Sequence, residues 1–214
     1  MTWIDKLQDV KCEGKSYAQY NEDCIAEEIF KHIGADTKYF VDIGAANASN
    51  TRRMLECGWK GIAIDKKPTA EHIHEADVTP VNVNGVLSRL GAPLLFDFLS
   101  IDIDGNDFWV LEAILKFYSP RLICAEYNPS LEGSIVMEYN KDHVWNETNN
   151  YGFSWLAGIK LFNKMGYKVI LNNIGNSMFA VPQLYVRDIE YREPQAIYAR
   201  NFPTDDNAKF VTYI

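Results

Sequence analysis

Tyr39-Phe40-Val41-Asp42-Ile43-Gly44-Ala45-Ala46-Asn47-Ala48 is the stretch that decides the fold. Its first half is a short apolar run of strand formers. Its second half is a turn of small residues, where backbone can approach a ligand closely. Residues 49–57 read as helical and lead to Gly58, after which Gly61-Ile62-Ala63-Ile64-Asp65 forms a second apolar run. Phe98-Leu99-Ser100-Ile101-Asp102-Ile103 and Leu122-Ile123-Cys124-Ala125-Glu126-Tyr127 are a third and a fourth. Upstream, residues 21–33 place Ile25, Ala26, Ile29, Phe30 and Ile33 at helical spacing, with Gly34 at the C′ position. Residues 82–90, 107–117 and 153–165 repeat the helical period, and strands are expected near 168–171 and 177–181. Apolar strands alternating with helices predict a Rossmann-like α/β fold: a mostly parallel sheet, buried on both faces by helices. The last two strands have no helix between them, which suits an antiparallel hairpin at the end of the sheet. No repeat or linker interrupts the chain, so a single domain is expected over residues 1–214, with its core about 16–181.

Composition narrows the function. The chain has 214 residues, 47% of them hydrophobic, enough for one folded core. No run of about 18 apolar residues is present, so membrane insertion is not expected. The first residues lack the basic and apolar pattern of a secretory signal. Cys12, Cys24, Cys57 and Cys124 are scattered and make no CxxC pair, which reads as free buried thiols and a cytoplasmic location. A net charge of −8 argues against a nucleic-acid partner bound through bulk electrostatics.

In open α/β sheets ligands bind at the carboxyl ends of the strands, where strand order reverses. The turn after the first strand holds Gly44, Ala45 and Asn47 but lacks the later glycines of GxGxxG, which removes the close approach a pyrophosphate needs. Asp42, just ahead of that turn, would repel a pyrophosphate and could hold a cation. S-adenosylmethionine carries an ammonium and a sulfonium and no phosphate. Asp65, at the end of the next strand, is placed to accept ribose hydroxyls, and Asp77 to meet an adenine amino group. A nicotinamide-dependent oxidoreductase and a non-catalytic nucleoside-binding module are the alternatives on such a sheet.

The chain resembles the FkbM-type group of class I methyltransferases. The likeness is carried by Ser16-Tyr17-Ala18-Gln19-Tyr20-Asn21-Glu22-Asp23, Phe40-Val41-Asp42-Ile43-Gly44-Ala45, Gly58-Trp59-Lys60-Gly61, Glu126-Tyr127-Asn128 and, most specifically, Ser100-Ile101-Asp102-Ile103-Asp104-Gly105-Asn106-Asp107-Phe108-Trp109. It covers roughly residues 16–181 and does not place those after about 185. It implies a seven-stranded sheet with an antiparallel last strand, and methyl transfer to oxygen, commonly on a sugar or polyketide hydroxyl. It implies S-adenosylmethionine as cofactor, with Gln19, Glu22 and Asp102 joining the cofactor site. Domains of this group stand alone or are joined to glycosyltransferases. The first motif here departs from the usual one, which carries more glycine.

Asp102, Asp104, Asn106 and Asp107 crowd the end of the third strand, and Glu126 and Asn128 the end of the fourth. If the two strands are neighbours, these oxygens converge on one rim. An oxygen-only set suits Mg²⁺, with Asp102, Glu126 and Asn128 as ligands, as in metal-dependent O-methyltransferases acting on small molecules. Turn and capping roles are the competing account of the same residues. An aliphatic hydroxyl must lose its proton during methyl transfer, and Asp102, Asp104 and His143 are the catalytic candidates. Tyr139, Trp145, Tyr151 and Trp155 would suit stacking on a small-molecule or glycan acceptor.

Overall fold

The computed structural model describes residues 2–172, 175–189, 194–195 and 202–214. Strands β1 (Tyr39–Ile43), β2 (Lys60–Asp65), β3 (Ile73–Glu75), β4 (Leu95–Ile101), β5 (Ser119–Glu126), β7 (Tyr167–Asn172) and β8 (Ser177–Pro182) build a seven-stranded sheet. Its order is β3-β2-β1-β4-β5-β8-β7. All strands are parallel except β8, which runs antiparallel between β5 and β7. This is the Rossmann-like α/β fold expected from the sequence, a mostly parallel seven-stranded sheet with an antiparallel last strand. Among the described residues no helix is long and apolar enough to cross a membrane.

Period-two alternation along the central strands feeds two separate cores. Val41, Ile43, Leu99, Ile101, Ile123 and Ala125 pack on one face, against α3 (Val83–Arg89), α4 (Asp107–Leu115) and α5 (Trp155–Lys164). Phe40, Phe98, Leu122, Cys124 and Phe179 pack on the other, against Ile25, Ile29 and Phe30 of α1 (Glu22–Ile33). Gly34 ends α1 as expected, with a positive φ of 70° that suits glycine and its N–H on the Phe30 carbonyl. Ser154 caps α5 by accepting from the Ala157 N–H.

Three differences from the sequence reading have local causes. Helix 49–57 shrinks to α2 (Arg52–Glu56), because Ala46 and Ala48 adopt φ of 46° and 58° and Asn47 folds its side chain onto the Ser49 N–H. Those alanines occupy the left-handed conformations that glycine would ordinarily fill, which accounts for a turn with a single glycine. A second sheet pairs β6 (Ile135–Met137) with β9 (Phe210–Thr212) and brings the end of the chain back onto the domain. Finally, Cys12 and Cys24 are joined in a disulfide; Cys57 is exposed and Cys124 buried as free thiols. The expectation of four free thiols is corrected, and the cysteine basis for a cytoplasmic placement goes with it.

Candidate active site

β1 and β4 are adjacent, and on either side of them the strand order runs in opposite directions. Gly44 ends β1 with φ 78°, and a side chain there would meet the Asp102 carbonyl oxygen at 1.6 Å. Only glycine lets the two strand ends close so tightly. Along these ends runs a cavity of about 580 Å³, with a smaller one of about 180 Å³ beside it. The larger cavity is within the usual range for small-molecule sites.

At the β1–β2 end it is lined by Gly44, Ala46, Asp65, Lys66, Asp77 and Val78. Asp65 accepts the Ala46 N–H on one oxygen and the Lys67 N–H on the other, at 2.8 and 2.7 Å. A carboxylate offers about four acceptor positions, so two remain for a ligand. Asp77 pairs with Lys66 at 2.7 Å. Gln19 lines both cavities. Asp42 and Glu22 line the smaller one and lie nearly out of solvent. Asp42 accepts from Thr51 Oγ1, and burial pushes its carboxyl up to about 6. Glu22 accepts the Tyr20 N–H and the Ser177 hydroxyl. Ala45 packs against Ala48, Ala63 and Ile73. Asn47 is used by its own turn and contributes to neither cavity wall.

The β4–β5 end is lined by Asp102, Asp104, Glu126, Tyr127, His143, Trp145 and Tyr151. The expected convergence occurs, with one exchange of members. Ligand oxygens of Asp102, Asp107 and Glu126 lie within 4.8 Å of one another. Asn128 is turned away: its amide donates to the Asn149 and Tyr151 carbonyls, and its oxygen accepts from Ser130. That leaves Asn128 nothing for a cation. Asp107 is also committed, accepting the Ile103 and Gly105 N–H groups. Asp102 and Glu126 remain as oxygen donors, which fits Mg²⁺, a cation that takes one or two carboxylates and keeps several waters. Desolvation raises both carboxyls, and the neighbouring acids raise them further.

The loop carrying His143 is pinned to the start of α4 by a reciprocal pair: Asn106 Nδ2 donates to the Asn140 carbonyl, and the Asn140 N–H to Asn106 Oδ1. The His143 ring then rests on Gly105, where a Cβ would stand 2.4 Å from its Cδ2. The Asp104 backbone takes a hydrogen bond from the ring, while burial lowers the imidazole's pKa, so it is neutral near pH 7. Asp104, in a left-handed conformation at φ 53°, has its carboxyl raised by burial. Glu126 Oε2, His143 Nε2 and Tyr151 Oη are shielded from solvent, and no well-aligned hydrogen bond reaches them among the described residues, with Asp102 lying beside Glu126 and Asn176 beside Tyr151.

Of the aromatic residues singled out in the sequence, Trp145 and Tyr151 line the cavity. Trp155 packs in the core against Tyr127, and Tyr139 lies outside the cavity wall. Sequence reasoning missed Asn176, whose Nδ2 holds Glu126 Oε1 at 2.7 Å, and Phe202, which lines the cavity beside Trp145. Gly175-Asn176 is an ordinary turn signal between two strands, and nothing local marks Phe202.

No protein-family model and no curated protein matches the chain. Solved structures resemble its fold. A Burkholderia thailandensis 1,6-didemethyltoxoflavin-N1-methyltransferase, bound to 1,6-didemethyltoxoflavin and S-adenosylhomocysteine, is 14% identical with a TM-score of 0.42, over 77% of this chain and 79% of that one. CalS10, an amino pentose methyltransferase from Micromonospora echinaspora with S-adenosylmethionine bound, is 10% identical with a TM-score of 0.39, over 78% of this chain and 91% of that one. The likeness is one of fold, and neither activity nor substrate is carried over from these proteins.

Proposed function

We propose that the chain is an S-adenosylmethionine-dependent methyltransferase acting on a hydroxyl of a sugar, glycan or related small molecule, with Mg²⁺ as a divalent cation. One observation carries this reading. A single cavity joins an end suited to a nucleoside, with Asp65 behind a backbone-lined turn, to an end holding three shielded polar atoms that no well-aligned hydrogen bond reaches among the described residues. The resemblance of Ser100 to Trp109 to FkbM-type methyltransferases supports it.

S-adenosylmethionine supplies an already activated methyl group, so the protein's work is alignment and proton removal. Asp65 accepts ribose hydroxyls with its two remaining acceptor positions, and Asp77 takes the adenine amino group. Asp42 and Glu22 place negative charge beside the methionine end. Alignment of the acceptor oxygen is the larger contribution, roughly 7–11 kcal/mol of barrier for well-placed partners. Asp104 takes the hydroxyl proton: its carboxyl opens onto the cavity and its raised pKa makes it a better base than an exposed aspartate. His143 packs beside it as a neutral ring. Asp102 and Glu126 would hold the cation, which when bound would supply Lewis-acid chemistry that lowers a hydroxyl's pKa.

Calorimetry with S-adenosylhomocysteine and with NAD tests the cofactor, and labelled methyl donor with nucleotide sugars and short glycans tests the reaction. S-adenosylhomocysteine binding with methyl incorporation is expected. Tight NAD binding and no response to S-adenosylhomocysteine would mean an oxidoreductase; retention of the donor without turnover, a binding module.

A further inference from the structure

We infer that the returning end of the chain, residues 202–213, is an acceptor-recognition strap. Phe202 supplies an apolar platform for the ring of the acceptor, and Tyr151 binds one of its hydroxyls. The inference rests on the proposed methyl-transfer reading, because it names the substrate-facing wall of that same cavity.

Phe202, Trp145 and Tyr151 all line the cavity. Their rings meet pairwise edge to face, at centroid distances of 5.1, 5.7 and 5.8 Å. At those separations the rings touch one another. No ligand group fits between them, so the cluster is a wall and not a cage for a cation.

The strap is held in place from several sides. The Asn149 N–H donates to the Pro203 carbonyl, and the Asp205 N–H to Asn149 Oδ1, each at 2.9 Å. Asn150 Nδ2 donates to Asp205, and β9 pairs with β6. Tyr213 packs edge-on against Phe108 of α4, and its N–H donates to the Ser134 carbonyl. Phe202 is therefore carried to the cavity by ordered backbone on a segment that the sequence resemblance does not cover.

The polar half of the subsite follows from what is already satisfied. The Trp145 indole N–H is used on the Thr148 carbonyl at 2.8 Å, so this ring offers only its apolar surface. Tyr151 is 1% exposed; its hydroxyl has Asn176 beside it, and no well-aligned hydrogen bond reaches it among the described residues. An apolar wall with a buried hydroxyl beside it matches a pyranose, which has a flat C–H face and hydroxyls at its edge. The wall of Phe202, Trp145 and Tyr151 carries no charge to pair with a phosphate or carboxylate, so the ring it fits is an uncharged one.

The test uses full-length protein saturated with S-adenosylhomocysteine and four neutral methyl hexosides as probes, read by saturation-transfer NMR. Transfer from aromatic protons to ring C–H protons of at least one hexoside is expected. Phe202→Leu, which keeps apolar bulk, should weaken that hexoside about three- to ten-fold, and Phe202→Tyr should restore it. Tyr151→Phe should weaken binding while leaving S-adenosylhomocysteine affinity unchanged. Hexoside binding that is absent, or unchanged in Phe202→Leu, overturns the strap. Failure of S-adenosylhomocysteine itself to bind in the preceding calorimetry instead overturns the methyl-transfer reading.

Discussion

Two carboxylates at the cavity carry opposite expectations. Asp65 holds the Ala46 and Lys67 N–H groups and faces the nucleoside end. Asp65→Ala should weaken S-adenosylhomocysteine binding by about 1–3 kcal/mol, measured by calorimetry, through loss of a buried polar contact. An unchanged affinity would restrict Asp65 to shaping the turn. Asp104 should behave the other way. Asp104→Asn should leave cofactor affinity intact and slow methyl transfer about 10²- to 10⁴-fold, the usual contribution of a placed base. Burial raises the Asp104 carboxyl, and the base must be ionised. Activity is therefore complete above that raised pKa and is lost as pH falls through it. The acid limb of kcat/KM should lie above the ordinary aspartate value of 3.8 and vanish in Asp104→Asn. A limb that survives the substitution belongs to another group, with His143 the next to test.

The disulfide between Cys12 and Cys24 acts at the scale of an element. It ties the segment before α1 to the first turn of that helix, and this segment carries Gln19 and Tyr20 into the cavity wall. A cross-link spanning 12 residues removes freedom from the unfolded chain. Cys12→Ser should therefore lower stability by about 2–3 kcal/mol in denaturant unfolding and loosen cofactor binding. A midpoint that is the same with and without reductant would show that the bond contributes nothing. The sequence reading missed this pair because spacing alone does not bring two cysteines together. It did find the parallel strands, since residues 39–43 and 122–126 are apolar runs buried on both faces. It erred where the backbone departs from the ordinary, as in the left-handed alanines that shorten α2. Asn128 was misread for a related reason. Its place at a strand end is visible in the sequence, but the turn of its amide toward the 149–151 backbone is set by a loop more than twenty residues on. The β6–β9 pairing joins segments too distant for periodicity to reveal.

Charge links the parts of the whole molecule. The chain carries a net charge of −8, and its cavity gathers Asp65, Asp77, Asp102, Asp104 and Glu126, with Lys66 and Lys141 as the lysines of the wall among the described residues. Lys66 is paired with Asp77 and Lys141 with Asp142, so neither neutralises Asp102 or Glu126. Without a cation these two acids share an unfavourable site, and among the described residues no well-aligned donor reaches Glu126 Oε2. Two balances are available: a retained proton, or Mg²⁺ with Asp102 and Glu126 among its ligands. They differ in what chelation does. With Mg²⁺, treatment with EDTA followed by desalting should abolish methyl transfer, added Mg²⁺ should restore it, and Glu126→Gln should raise the Mg²⁺ concentration required. Mg²⁺ should also raise the unfolding temperature of the wild type, because a ligand that binds only the folded state stabilises it by mass action. With a shared proton, metal-free protein keeps full activity and Mg²⁺ leaves the unfolding temperature unchanged. That outcome would remove the cation from the mechanism and leave a base, Asp104 or else His143, to activate the hydroxyl.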